Sequence, residues 1–164
     1  MGYQLKDEGN SHFKKKDYKD AIRSYYKSIL HIKGLLSPDD ECFMYGNKET
    51  RVPKEQVESM KSLYNILYLN MTQCHLNLGN IKKALENANK ALKLTETPKG
   101  LYRRGLAYLE LKDYDSALSD FEKFKELEPE NENIEKLINE AKLGSKAADK
   151  ELGEKLKKGL FSES

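Results

Sequence analysis

The chain has 164 residues, 34% of them charged and 38% hydrophobic, with no tryptophan and a formal net charge of +2. That length suits one domain, and the near balance of basic and acidic side chains gives no global attraction to nucleic acid. No apolar run approaches the roughly 18 residues needed to cross a bilayer as a helix, so composition excludes such a span and leaves an amphipathic, all-α chain.

In chain order, a first helical pattern carries Lys6, Gly9 and Asn10 and ends at Lys16-Asp17-Tyr18. A second follows through Ala21, Tyr25, Ile29, Ile32, Leu35 and Leu36. The stretch from Ser37 to Pro53 has prolines near its ends and Gly46-Asn47 in its middle, and it reads as an inserted loop. Cys42-Phe43-Met44-Tyr45 within it is expected to fold back on the flanking helices, with a small docking patch as the alternative. Val57, Met60, Leu63, Tyr64 and Leu67 lead into a third helix, which Gly79-Asn80-Ile81 closes. Pro98 and Pro129 fall where they can open new helices. Between them Lys112-Asp113-Tyr114 makes another break. Ile134, Leu137, Ile138 and Ala141 then form an apolar stripe suited to a cap, and beyond Gly144 a Lys-rich tail carries Leu152, Leu156, Leu160 and Phe161.

These segments repeat. Gly9, Ala21 and Tyr25 align with Thr72, Ala84 and Ala88, and again with Gly105, Ala117 and Phe121. The later offset is 117 − 84 = 33, close to the roughly 34-residue period of a helix-turn-helix repeat, and the earlier one is 84 − 21 = 63, a repeat plus an insertion. Small residues at Gly9, Gly105, Ala21, Ala84 and Ala117 let paired helices approach closely. Tyr25, Leu63, Leu67, Leu76, Leu85, Leu92, Tyr108, Leu118, Phe121 and Leu127 are predicted to fill one continuous core. The layout is a single domain over 1–164, with repeat 1 at about 3–36, the insertion at about 37–54, repeat 2 at about 55–96, repeat 3 at about 98–128 and a C-terminal helix at about 130–160.

Five polar residues stand out on this frame. Lys6 with Asn10, and Lys99 with Arg103, are pairs four residues apart, so each pair projects from one helix face. Asn70 stands alone in a helix interior, where its amide competes with backbone bonding unless it has another task. Brought together, these groups make a cationic, amide-rich hollow suited to a carboxylate.

The runs Asp7-Glu8-Gly9-Asn10, Leu69-Asn70-Met71-Thr72-Gln73-Cys74-His75-Leu76 and Lys99-Gly100-Leu101-Tyr102-Arg103-Arg104-Gly105 resemble tetratricopeptide-repeat (TPR) domains, over nearly the whole chain. They resemble the C-terminal TPR domains of large immunophilins, and also the aryl-hydrocarbon-receptor-interacting protein and the tetratricopeptide repeat protein nine group. The resemblance implies three TPR units in a right-handed superhelix with a C-terminal capping and extended helix. It also implies a two-carboxylate clamp for the Glu-Glu-Val-Asp tails of cytosolic heat-shock proteins 90 and 70, falling on Lys6, Asn10, Asn70, Lys99 and Arg103. Lys6, Asn10 and Asn70 would hold mainly the terminal carboxylate, with Lys99 and Arg103 serving the side chain and nearby peptide groups. Phe13, Gln73, Leu76, Asn77, Leu106 and Glu110 are carried as secondary groove contacts, Phe13 having core packing as its competing role.

No catalytic constellation, phosphate-cradling glycine motif or cofactor signature appears, and any isomerase chemistry would belong to a domain outside these residues. Cys42 and Cys74 lack CxxC spacing and suggest a reduced, cytoplasmic setting, with Cys74 a buried, inert thiol. His12, His31 and His75 lack partners at metal-ligand spacing, so no metal is expected. The chain start lacks the Ser or Thr required for myristoylation and shows no signal peptide. The reading is a monomeric interaction module that binds no nucleic acid and no membrane. Its alternatives are a scaffold for another acidic or internal peptide, or the non-catalytic domain of a peptidyl-prolyl isomerase.

Overall fold

A computed structural model describes residues 1–35 and 54–161. Seven α-helices account for most of them, and there is no strand among the described residues: α1 Gly2–Lys14, α2 Tyr18–Leu35, α3 Lys54–Asn77, α4 Ile81–Leu94, α5 Pro98–Glu110, α6 Tyr114–Leu127 and α7 Asn133–Phe161. None is long and apolar enough to cross a membrane. The expected placement of Cys42-Phe43-Met44-Tyr45 lies outside the described residues.

Consecutive helices pair as three hairpins, α1 with α2, α3 with α4 and α5 with α6, and each hairpin packs on the next. The hairpins share one turn geometry. Lys16, Gly79 and Lys112 occupy equivalent positions, all with positive φ (62°, 69° and 60°). Around them the bonding repeats: Asp17 N–H donates to His12 O at 3.0 Å, Asn80 N–H to His75 O at 2.9 Å and Asp113 N–H to Tyr108 O at 2.9 Å. This closure satisfies carbonyls that the first helix of each pair would otherwise leave open.

The close approach read from small residues is equally concrete. A Cβ on Gly9 would come within 2.5 Å of the Tyr25 ring, and one on Gly105 would overlap Phe121. Both partners lie sixteen residues on. In the middle hairpin Thr72 and Ala88 stand at the same two positions, both fully buried, so a larger residue on one helix is matched by a smaller one on its partner.

That exchange also corrects the expectation of one continuous core. The buried apolar residues form two clusters, one around Tyr25, Ile29, Leu63, Leu67 and Met71, the other around Leu101, Phe121, Phe124, Ile134 and Ile138. Between them α4 presents Ala84, Ala88 and Ala91, which are fully buried but belong to neither cluster. Leu127, expected in the core, is 52% exposed, because α6 ends there and its last turn faces outward.

Pro98 opens α5 as expected, with Thr97 as N-cap accepting from Gly100 N–H at 3.2 Å. Pro129 does not open α7; it sits in a turn, and the helix starts at Asn133, whose N–H is received by the Asn131 side chain at 3.2 Å. An Asx-type bond at the true helix start outweighs the proline signal here. Ile134, Ile138 and Ala141 bury against α6 and complete the second cluster, as a cap should, while Leu152 and Leu156 farther along α7 remain exposed.

Candidate functional site

The first helices of the hairpins, α1, α3 and α5, lie side by side in parallel. Asn70 Nδ2 donates to Asn10 Oδ1 at 3.3 Å, tying α3 to α1. Asn65 Nδ2 donates to Thr95 O at 3.1 Å just ahead of α5, and Arg103 Nη1 donates to the Leu69 carbonyl farther along, so α3 and α5 run in the same direction. Asn10, Asn70 and Arg103, sixty and thirty-three residues apart, therefore meet on one surface.

A residue assigned only to the core completes this group. The Tyr25 hydroxyl donates to Asn10 Oδ1 at 2.8 Å, although its ring is fully buried. Asn10 Oδ1 thus accepts from Tyr25 and Asn70 together. Spacing could locate the Tyr25 ring but not the destination of its polar tip, which is the usual reason a buried tyrosine is more than packing. Burial pushes the Tyr25 hydroxyl up to about 12, so it stays a donor at neutral pH.

The cations are held with little compensation. Burial pushes the Arg103 guanidinium down to about 10, and it has no acidic partner among the described residues. Lys99, one turn earlier, is exposed as a residue, yet partial desolvation of its ammonium and then the charge of Arg103 lower its pKa. Two like charges kept close, with no acidic partner among the described residues, favour the approach of an anion. Cys74 lies beneath them, fully buried, its thiol pushed up to about 12 by burial and so un-ionised, as its apolar helix led one to expect.

Lys6 differs. Its ammonium sits 3.3 Å from Asp7 and 5.5 Å from the Tyr3 ring centroid. Asp7 is 67% exposed and free to swing away, and such a surface pair is worth only about 0–1 kcal/mol. The neighbouring Arg104 is fully committed elsewhere. Its guanidinium grips Asp120 at 2.6 and 2.7 Å and Asn89 at 3.1 Å, which explains why two adjacent arginines have unlike roles.

The secondary residues divide. Gln73 Nε2 donates to Asn77 Oδ1 at 3.1 Å, one turn beyond Asn70 on the same helix face. Phe13 packs edge-on against Tyr18 at 5.4 Å and leans on the first cluster, while Leu106 leans on the second. Leu76 is half-buried and Glu110 exposed. The expectation that His12 lacks metal-ligand partners needs correcting: the turn at Lys16 brings His12, Asp17 and Asp20 to within 4.8 Å of one another. His12 Nδ1 lies 3.5 Å from Asp17 Oδ2 there.

Helical hairpins at this period, stacked with parallel first helices, define a repeat protein of the TPR class, and residues 66–98 and 98–131 each match the tetratricopeptide repeat model. The chain is 35% identical over 128 residues to the peptidyl-prolyl cis-trans isomerase FKBP4 of Bos taurus, covering 77% of this chain and 25% of that protein. It therefore spans about a quarter of the length of the curated relatives it matches. Among solved structures, the C-terminal TPR-containing domain of a Plasmodium falciparum FK506-binding protein superposes with a TM-score of 0.76 at 24% identity, covering 91% of each chain. The first TPR of Spaghetti (RPAP3), solved bound to the HSP90 peptide SRMEEVD, superposes with a TM-score of 0.63 at 26% identity, covering 90% of this chain and 93% of that one.

Proposed function

We propose that this chain is a non-catalytic co-chaperone module that grips the acidic C-terminal tail of heat-shock protein 90 or 70, ending in Glu-Glu-Val-Asp, with Lys6, Asn10, Asn70, Lys99 and Arg103 as the clamp. One observation carries the reading: Arg103 and Lys99 are held together, partly desolvated and without an acidic partner among the described residues, on the surface where Tyr25 and Asn70 hold the Asn10 amide oxygen. A terminal aspartate presents two carboxylates a few ångströms apart, which matches a hollow with cations on two sides and amides between. The HSP90 peptide in the RPAP3 complex ends in the same four residues, which supports assigning that ligand here. Cytoplasmic residence and a monomeric state accompany this reading, since the tails are cytosolic and each domain takes one tail.

A short tail should bind at about micromolar strength, near 8 kcal/mol, and salt should weaken it. The deciding experiment titrates a free-acid Glu-Glu-Val-Asp peptide against its C-terminally amidated form by calorimetry. The free acid should bind at least tenfold tighter; comparable binding of both would refute a carboxylate clamp. Likeness over a quarter of an isomerase also favours a tethered, non-catalytic role, and these residues alone should give background rates in a prolyl isomerisation assay.

A further inference from the structure

The groove contains an apolar side chain that the clamp assignment does not use. Ile66 is 41% exposed, on α3 one turn before Asn70, while Leu63 and Leu67 beside it are buried. Its neighbours across the groove follow from helix register. A Cβ on Gly2 would sit 3.7 Å from Leu63, and Asn10 meets Asn70, so α1 and α3 run with an offset of 63 − 2 = 61 at one contact and 70 − 10 = 60 at the other. That offset puts Lys6 opposite Ile66. On the other flank Arg103 reaches the Leu69 carbonyl and Asn65 donates to Thr95 O, so Lys99 lies alongside the turn from Asn65 to Leu69 that carries Ile66.

We infer that Ile66 is a specificity-determining contact of the groove, an apolar platform between Lys6 and Lys99 on which the methylene and backbone carbons of the ligand's last residue lie. The inference rests on the clamp reading above and adds the ligand's final residue to it. An acidic C-terminal residue is the occupant that fits by charge, because its two carboxylates reach the flanking lysines while its carbons cover the isoleucine. Covering it excludes water from one side of both ion pairs, and a less hydrated pair is a stronger one. A single exposed isoleucine is unremarkable on most surfaces. Here it lies on the helix between those that carry the two lysines, where a polar residue would keep the carboxylates hydrated. Tyr3, 57% exposed beside Lys6, extends the same apolar rim.

The test uses the full chain and the free-acid Glu-Glu-Val-Asp peptide. Ile66→Ser should weaken binding by roughly three- to tenfold, and Ile66→Ala, which introduces no new polar group, by a somewhat smaller factor. Leu127→Ser, at a more exposed leucine at the far end of α6, should leave affinity unchanged. On a Lys99→Ala background the Ile66→Ser loss should shrink to under about twofold, since the ion pair it shields is gone. A merely structural Ile66 would not couple to Lys99 in this way. If wild type prefers the free acid but Ile66→Ser binds as wild type does, this inference is overturned and the clamp stands. If wild type does not distinguish free from amidated peptide, the clamp reading falls and this one with it.

Discussion

At the scale of single residues, the groove holds charge at a cost to the fold. The Arg103 guanidinium is buried enough to fall to about 10, and its one polar contact among the described residues is a backbone carbonyl. Burying a charge without a counter-ion disfavours the native state, and such residues persist where function needs them. Arg103→Met should therefore raise stability by roughly 1 kcal/mol in urea unfolding. In the same variant the tail affinity should drop by about ten- to a hundredfold, as expected for a shielded charge-assisted bond. A loss of helicity on circular dichroism would show Arg103 to be structural instead. Asp7 makes the opposite case. Its carboxylate sits 3.3 Å from Lys6, where it competes with an incoming carboxylate, so Asp7→Asn should tighten tail binding about two- to fivefold at low salt. The gain should vanish at high ionic strength, and an unchanged affinity at low salt would remove Asp7 as a competitor.

At the scale of elements, paired helices are matched by volume at positions sixteen residues apart: Gly9 with Tyr25, Thr72 with Ala88, Gly105 with Phe121. Polar pairs use the same offset where Arg104 meets Asp120 and Glu8 accepts from Ser24. Gly105→Ala forces a methyl into the Phe121 ring and should cost about 1–3 kcal/mol, read as a lower melting temperature. The per-molecule tail affinity of the folded fraction should not change, because Gly105 faces α6 and not the groove. The turns offer the reverse experiment. Lys112 holds φ at 60°, a conformation that costs a non-glycine residue about 1–2 kcal/mol, whereas Gly79 fills the equivalent turn without that cost. Lys112→Gly should stabilise the chain by up to about 1 kcal/mol, part of the gain being lost to the freer unfolded chain. Destabilisation would mean that the lysine side chain contributes more than its backbone strain costs.

At the scale of the whole molecule, the sequence displayed its helices well because the repeat shows each one three times. A turn seen at Lys16 is seen again at Gly79 and Lys112, and Gly9 explains Gly105. What could not be read was singular: the start of α7 past Pro129, the exposed end of α6 at Leu127, and the break in the core at the α4 alanines. Each depends on what packs across a gap that occurs only once. The clamp candidates were legible by type and register, but Tyr25 orienting Asn10, and Asp7 meeting Lys6, depend on where side-chain tips point. His75 is of this second kind, part of an apolar-looking run and buried, with no hydrogen-bond partner at Nδ1 among the described residues. Burial, and then the charge of Lys83, push its pKa below the ordinary histidine value of 6.5. The unfolded chain takes up that proton first, so stability is fully present above about pH 6.5 and is lost as pH falls from there through the folded-state pKa. Between roughly pH 6.5 and 5, before most carboxylates titrate, the slope should approach but not exceed about 1.4 kcal/mol per pH unit. Urea unfolding of wild type and His75→Gln across that window measures it: the variant should show a flat profile, and a slope that survives the substitution would place the titrating group elsewhere.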